Sequence, residues 1–227
     1  MRLQSSVLLL IGLVLAVSGV AAAPASRVIV LVRHGHYAAD PQADERLGPG
    51  LTAQGVAQAK LTAARLGGLP WRFDAAWVSP LQRARDTAAV IAADVPGIRP
   101  VVADALEECT PPTWRTEATV EETEASMAAC AERLDAWFKA RFRPAEGSEQ
   151  RELMVCHGNV IRYLVTKALR VDSRAWLEMS FGHASLTTIR IEADGRFKLI
   201  AAGDVGHLPP GMLTGATGDP ERSLAVP

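Results

Sequence analysis

The stretch that decides the fold is R-V-I-V-L-V-R-H-G-H, residues 27–36. Residues 28–32 are all Val, Ile or Leu, without the alternation of apolar and polar residues that a half-exposed strand shows. The run therefore predicts a strand over residues 27–32 that is buried on both faces, as in a sheet covered by helices on either side. Arg33 and His34 follow at once, so they are expected where this strand ends.

Outward from this strand, strand and helix patterns alternate along the chain, which predicts an α/β fold. The other predicted strands are residues 75–78, 99–102, 152–156, 185–191 and 196–202. The predicted helices are residues 52–66, 79–93, 121–142 and 159–169. We expect a three-layer α/β/α sandwich with a mostly parallel sheet of about six strands.

Length, composition and charge bound the class of protein. The 227 residues suit one domain, and 48% hydrophobic residues are enough to fill its core. Because Lys and Arg number 24 while Asp and Glu number 25, the chain has no overall positive field that would attract nucleic acid. Nucleic acid is not an expected partner, and the function has to follow from a local site.

The first residues predict export. A single charge at Arg2 is followed by the apolar run 7–17 and the small residues 18–23, which is the layout of a secretory signal peptide with cleavage after Ala22. The alternative is an uncleaved membrane anchor, because roughly 20 apolar residues span a bilayer. In both cases the rest of the chain is expected outside the cytoplasm, periplasmic or secreted. The expected organisation is a leader over 1–22, a domain over 27–210 and a tail over 211–227.

Three cysteines are an odd number, and none of them forms a C-x-x-C pair, so neither a zinc knuckle nor a dithiol redox site is indicated. One disulfide is possible in an oxidising compartment, and Cys109 with Cys130 is the favoured pair. Cys156 lies inside an apolar strand and is expected to be a small buried residue.

Two histidines follow strand ends in the predicted sheet. His34 comes after the first strand and His157 after the strand over residues 152–156. Because ligands bind at the carboxyl ends of strands in open parallel sheets, both are expected to face one pocket. Arg83 lies in the first turn of a helix that Ser79 is expected to cap, and this helix also starts from a strand end.

These residue types match what phosphoryl transfer requires, namely fixed donors around a negatively charged group. Arg33 and Arg83 can each hold phosphate oxygens with a planar fork. The backbone N–H groups of Gly158 and Asn159, at a predicted helix start after His157, are suited to binding an anion.

The same site offers a nucleophile and a proton donor. The imidazole of His34 is uncharged over much of the neutral pH range, so it can attack phosphorus. The leaving alkoxide needs a proton, and Glu107 and Glu108 are the carboxyl groups that the chemistry leaves as candidates.

Five motifs in order carry a family resemblance. They are R-H-G at 33–35, L-T-x-x-G at 51–55, S-P-x-x-R-A-x-x-T-A at 79–88, a later Glu, and H-G-x-V-I-R at 157–162. Together they resemble the histidine phosphatase, or phosphoglycerate-mutase-like, superfamily over about residues 28–210. Within it the chain is most similar to the branch of mitochondrial, membrane-anchored protein serine/threonine phosphatases.

The resemblance implies a role for each matching residue. His34 matches the histidine that becomes phosphorylated, and Arg33 and Arg83 match the two phosphate-binding arginines. His157 matches a second histidine that donates to the phosphate. Glu108 rather than Glu107 fits the proton donor, because residues 106–111 read L-x-E-x-x-P.

The implied reaction is hydrolysis of a phosphate monoester in two in-line displacements through a phosphohistidine, without a metal or other cofactor. The resemblance leaves the substrate open between a phosphoprotein and a small phosphate ester. It also implies a possible homo-oligomer, and a membrane contact only if the leader is retained.

Two alternatives compete with this interpretation. His34 and His36 form an H-x-H at a strand end, as in some metal-dependent hydrolases, although the chain is short for such a barrel. A protein with the same pocket that binds a phosphorylated ligand without turnover is the second alternative. For His36, His183 and His207, structural or surface roles are favoured over catalytic ones.

Overall fold

Six strands form the central sheet of the computed structural model, which describes residues 22–215. In chain order they are β1 (Arg27–Arg33), β2 (Ala75–Val78), β3 (Pro100–Val102), β4 (Gln150–Cys156), β5 (Leu186–Ile191) and β6 (Phe197–Asp204). Across the sheet they run β3-β2-β4-β1-β5-β6. The pairs from β3 to β1 are parallel, while β5 and β6 are antiparallel. The mostly parallel sheet is confirmed.

The central strand β1 is buried on both faces, as its continuous apolar run predicts. All seven residues of the strand are buried. Ile29 and Leu31 pack into one hydrophobic cluster, whereas Val28, Val30 and Val32 pack into another on the opposite face of the sheet. The sheet therefore separates two cores.

Four helices cover the two faces of the sheet. They are α1 (Ala53–Gly67), α2 (Gln82–Asp94), α3 (Glu124–Arg141) and α4 (Gly158–Leu169). Leu66 of α1 and Ile91 of α2 belong to the same core as Val30. Leu134 of α3 and Ile161 of α4 belong to the other core. This is the three-layer α/β/α arrangement expected from the sequence.

The start of α2 differs from the prediction. The helix begins at Gln82, with Leu81 in the cap position and no side-chain cap bond, so Ser79 is not its cap. The hydroxyl of Ser79 accepts from the N–H of Leu81 at 3.3 Å and lies 2.6 Å from Nε2 of His157. Local helix rules predict that Ser79 caps the helix, but its side chain contacts His157, which is distant in sequence.

The chain after β6 returns to the core. Gln58 Nε2 donates to the carbonyl oxygen of Met212 at 2.6 Å. The backbone N–H of His183 donates to the carbonyl oxygen of Thr214 at 2.9 Å. The packed part of the chain thus continues past the predicted boundary at residue 210. The predicted leader, apart from Ala22, and the end of the predicted tail lie outside the described residues.

The predicted cysteine pairing is confirmed. Cys109 and Cys130 form a disulfide, which joins the segment after β3 to α3, and Cys156 is a buried free thiol. Between residues 22 and 215, no helix combines the length and the apolar character needed to cross a bilayer.

Candidate active site

A pocket of about 180 Å³ opens where the parallel strands β1 and β4 end. Eight residues line it: Arg33, His34, Tyr37, Arg83, Glu108, Gly158, Asn159 and Arg162. The two strands are in register at Arg33 and Cys156, so His34 and His157, the residues after each, become neighbours. Their ring centroids lie 5.0 Å apart. The two histidines therefore lie side by side, but of the two only His34 lines the pocket.

The contacts of His34 fix its tautomer. Its Nδ1 lies 2.8 Å from the carbonyl oxygen of Gly35, which only accepts, so Nδ1 carries the proton. Its Nε2 accepts from Nε of Arg83 at 3.3 Å. Burial first, and then the electrostatic effect of nearby groups that include His157 and Arg33, holds the pKa of His34 well below its usual value. The ring is neutral, and the lone pair of Nε2 can attack once the N–H of Arg83 turns from it to a phosphate oxygen.

Two glycines allow the loop after β1 to approach α1 closely. A Cβ on Gly35 would lie 2.6 Å from the carbonyl oxygen of Gly55, and a Cβ on Gly55 would lie 2.0 Å from that of His36. Thr52 caps α1 by accepting from the N–H of Gly55 at 3.1 Å. Thr87 of α2 accepts from the N–H of Gly35 at 3.0 Å. The motif residues thus place the loop that carries His34.

Arg83 points its guanidinium at the predicted nucleophile. Besides the bond to His34, its charged group lies 4.8 Å above the ring of Tyr37. Asp86 lies on the same helix and could form an ion pair with Arg83. It instead accepts from the N–H of Leu51 at 3.0 Å and from the side chain of Gln82 at 2.6 Å. The guanidinium of Arg83 therefore lies in the pocket, bonded to His34, and does not pair with Asp86 on its own helix.

Arg33 is 5% exposed and tightly held. Its Nη1 donates to the carbonyl oxygens of Phe181 and Gly215, and its Nη2 donates to His183 Nε2 at 3.2 Å. Burial is the largest cause that lowers the pKa of Arg33 to about 10, so it stays charged at neutral pH.

Glu108, not Glu107, faces the pocket. One oxygen of Glu108 accepts from the N–H of Asn159 at 3.2 Å, and the other lies 3.6 Å from Nδ1 of His157. Burial raises the pKa of Glu108 to about 6, against the lowering effect of nearby arginines. Glu107 turns to Arg133, which lies 3.7 Å from its carboxylate.

His157 lies behind the pocket rather than on its lining. It is fully buried, and burial followed by the charge of Arg83 holds its pKa well below the usual value. Its Nε2 contacts Ser79, and within residues 22–215 its Nδ1 has no hydrogen-bond partner. Nδ1 is also the nitrogen of His157 that lies 3.6 Å from Glu108.

Comparison with known families agrees with this geometry. The model of the histidine phosphatase superfamily (branch 1) matches residues 29–150 and 112–204. The chain belongs to the histidine phosphatase superfamily. It is a phosphoric monoester hydrolase of mixed α/β fold.

Named relatives support the branch that the motifs resemble. The mitochondrial serine/threonine-protein phosphatase Pgam5 of Caenorhabditis briggsae is 34% identical over 203 residues, which is 85% of this chain and 68% of the relative. The protein of that name from Homo sapiens is 32% identical over 202 residues, covering 85% of this chain and 67% of the relative.

Solved structures share the fold. A phosphoglycerate mutase from Plasmodium falciparum aligns with a TM-score of 0.57 and 24% identity, over 82% of this chain and 95% of that one. An α-ribazole phosphatase from Shigella flexneri aligns with a TM-score of 0.62 and 18% identity, over 78% of this chain and 96% of that one.

Four residues of this histidine phosphatase site escaped the sequence prediction. Arg162 lines the pocket and donates to the side-chain oxygen of Asn159 at 3.3 Å. It closes the H-G-x-V-I-R motif, and helical spacing from Gly158 signals its position. Tyr37, Ser79 and His183 have no comparable signal, because each reaches the site through a tertiary contact.

The helix start at Gly158 and Asn159 lines the pocket as expected, but Asn159 has further contacts. Its N–H binds Glu108, and its side-chain amide donates to the carbonyl oxygen of Cys109 at 3.3 Å. Asn159 thus holds the carboxyl group and the chain that follows it.

His34 and His36, the H-x-H pair, form hydrogen bonds with different residues. Nδ1 of His36 lies 2.8 Å from the hydroxyl oxygen of Thr52. The backbone N–H of His36 donates to the side-chain oxygen of Gln58 at 2.7 Å. Over residues 22–215, no three His, Cys, Asp or Glu side chains are grouped so that they could hold a metal ion.

Proposed function

We propose that the protein hydrolyses phosphate monoesters through a phosphohistidine formed on Nε2 of His34. The observation that carries the proposal is the fixed neutral tautomer of His34. A carbonyl oxygen holds the proton on Nδ1, and Arg83 lies against the lone pair of Nε2. A phosphoryl group in the pocket would therefore meet a nucleophile beside a positive charge.

Positive charge in the pocket suits a phosphate dianion. Arg33, Arg83 and Arg162 line the pocket together. A transferring phosphoryl group carries its charge on equatorial oxygens, and planar guanidinium groups match those oxygens in pairs. The backbone N–H of Gly158, at the start of α4, and Nδ1 of His157 are the further proposed donors, whereas the N–H of Asn159 is bonded to Glu108.

The first step transfers the phosphoryl group to the protein. Nε2 of His34 forms a bond to phosphorus, and the bond from phosphorus to the ester oxygen breaks. Glu108 gives its proton to that oxygen, so the alcohol leaves neutral. The raised pKa of Glu108, about 6, keeps part of the protein in the protonated form near neutral pH.

The second step returns the protein to its starting state. The carboxylate of Glu108 takes a proton from water as the water oxygen attacks phosphorus. The bond from Nε2 of His34 to phosphorus breaks, inorganic phosphate leaves, and Glu108 is protonated again. No step needs a metal or a redox partner.

The substrate is proposed to be a phosphoprotein or a small phosphate ester. The relatives named as serine/threonine-protein phosphatases favour phosphorylated serine or threonine side chains. The pocket chemistry by itself is met by any monoester dianion.

Turnover by a His34→Ala variant tests the proposal. We expect the purified protein to release phosphate from a panel of phosphoproteins and small esters, without added metal. Loss of the nucleophile should lower kcat by about 10³-fold or more. His207→Ala is a matched control, because His207 contacts Thr62 outside the pocket lining and should leave turnover intact.

The same assay decides between the alternatives. Activity that disappears with EDTA and returns with zinc would favour a metal-dependent hydrolase that uses His34 and His36. Binding of inorganic phosphate without turnover of any ester would favour an inactive phospho-ligand binding protein. Unchanged turnover in His34→Ala would remove His34 from the mechanism.

We also propose that residues 1–22 direct the protein out of the cytoplasm, as a cleaved signal peptide or as a retained anchor. The Cys109–Cys130 disulfide suits an oxidising compartment. The named relatives are mitochondrial. Sequencing the N-terminus of the mature protein separates the cases, since a start at Ala23 supports cleavage and a start at Met1 excludes it.

A further inference from the structure

Arg33 is held by the protein along one side of its guanidinium. A guanidinium has five N–H groups. Three of them are engaged, two by the carbonyl oxygens of Phe181 and Gly215 and one by Nε2 of His183. Its Nε has no hydrogen-bond partner in the described part of the chain. The Nε–H and one Nη2–H remain, and on a guanidinium two such neighbouring groups can bind an anion together.

His183 can hold Arg33 in one tautomer only. Because a guanidinium donates and never accepts, Nε2 of His183 has to be free of a proton. The proton then lies on Nδ1, which donates to the hydroxyl oxygen of Thr214 at 2.9 Å. Burial, followed by the charge of Arg33, lowers the pKa of His183 to about 2, so the ring is neutral.

Thr214 supplies the acceptor that this tautomer needs. Its hydroxyl oxygen accepts from His183, and it also lies 3.0 Å from Nε2 of Gln58, which donates to it. His183 is fully buried and Thr214 is 8% exposed, so water is not at hand to replace a lost partner. Gly215 allows the backbone to lie close against the ring of His183, since a Cβ there would lie 2.4 Å from the ring.

We propose that His183 and Thr214 are positioning residues for phosphate binding. They fix the Arg33 guanidinium in the orientation that leaves its Nε–H and one Nη2–H for the phosphoryl oxygens. The inference rests on the proposed function, in which Arg33 binds phosphate. It makes the chain segment at Gly215, which is 182 residues from Arg33, part of the working site.

Thr214→Val removes the acceptor and keeps the shape of the side chain. Nδ1–H of His183 then loses its buried partner, which favours moving the proton to Nε2. A proton on Nε2 would face an N–H of Arg33, and two donors repel each other. Arg33 is then expected to turn away from the phosphate.

The test measures two quantities in the full-length protein: the inhibition constant of inorganic phosphate, and kcat/KM for p-nitrophenyl phosphate. For Thr214→Val we expect about 10-fold weaker phosphate inhibition and about 10-fold lower kcat/KM. Thr214→Ser keeps the hydroxyl and should stay within about twofold of the wild type. Thr166→Val removes an equally buried hydroxyl, bonded within α4, and should change neither quantity.

Two results would overturn the proposal. One is an unchanged inhibition constant in Thr214→Val, and the other is a Thr214→Ser variant as impaired as Thr214→Val, because then packing rather than the acceptor matters. If Thr214→Val fails to fold, His183→Gln and His183→Leu decide. Gln keeps an oxygen that accepts from Arg33 and Leu does not, so equal phosphate affinity in the two variants overturns the proposal.

Failure of the proposed function has a different signature. If the wild type hydrolyses no ester but binds inorganic phosphate, calorimetric titration with phosphate replaces the inhibition assay, and the same Thr214 variants decide the inference. If the wild type binds no phosphate, both the function and the inference fall.

Discussion

Burial shifts the pKa values of the two proposed reacting side chains in opposite directions. It lowers the pKa of His34 and raises that of Glu108 to about 6. Both shifts favour the neutral form, because a charged group is poorly solvated in the pocket. A neutral imidazole can attack, and a neutral carboxyl can donate. The environment thus prepares a nucleophile and an acid at the same pH.

Glu108→Gln should separate substrates by their leaving groups. Without a proton donor for the first step, kcat/KM for an alkyl phosphate should fall by about 10²-fold or more. The value for p-nitrophenyl phosphate should fall far less, because nitrophenolate leaves as a stable anion. In the wild type, kcat/KM for the alkyl phosphate should decrease as pH rises through about 6, because Glu108 loses its proton there. Steady-state kinetics from pH 5 to 8 measure both effects.

Glu107→Gln is the control, since Glu107 pairs with Arg133 outside the pocket lining. It should keep wild-type kinetics for both substrates. An equal loss for alkyl and aryl phosphates in Glu108→Gln would mean that Glu108 does not protonate the leaving group.

Sequence reasoning located the residues that stand next to strand ends. His34, Arg33 and His157 were predictable because strand burial fixes where each strand stops. A family pattern predicts Glu108 over Glu107, and in the structure the N–H of Asn159 holds the Glu108 carboxylate at the pocket. Tyr37 and Ser79 were not predictable, since their roles depend on contacts with distant residues such as the bond between Ser79 and His157, 78 positions apart.

At the scale of elements, motif residues connect β1, α1 and α2 around one loop. Gly35 and Gly55 permit backbone contact, and Thr52 and Thr87 supply the side-chain oxygens that receive the N–H groups there. Helix and strand existence followed from periodicity, and Ala53–Gly67 matches its prediction closely. The start of α2 differs from its prediction, because Ser79 contacts His157 and the helix begins only at Gln82.

The Cys109–Cys130 disulfide should stabilise the fold by restricting the unfolded chain. The two residues are 21 positions apart, for which chain entropy predicts about 3 kcal/mol. Urea denaturation with and without dithiothreitol should show this loss in the wild type. The double variant Cys109→Ala, Cys130→Ala should show no response to the reductant. Equal unfolding free energies of the wild type in both conditions would contradict the prediction.

At the scale of the whole molecule, the two ends of the domain sequence meet beneath the pocket. β1 carries Arg33 at its end, and the last described residues, Thr214 and Gly215, reach Arg33 directly or through His183. The fold class followed from the order of strands and helices. The contact of residues 214 and 215 with Arg33 and His183 could not be predicted from the sequence. No local pattern in a stretch rich in Pro and Gly specifies a partner far away along the chain.

The proposed mechanism requires that His34 carries the phosphoryl group during turnover. Rapid mixing with a phosphoester, quenching in base and mass spectrometry of the digested protein test it most directly. We expect one phosphoryl group on the peptide that contains His34, appearing and decaying at the rate of turnover. Phosphate release at full rate with no phosphorylated His34 peptide at any time would contradict the account.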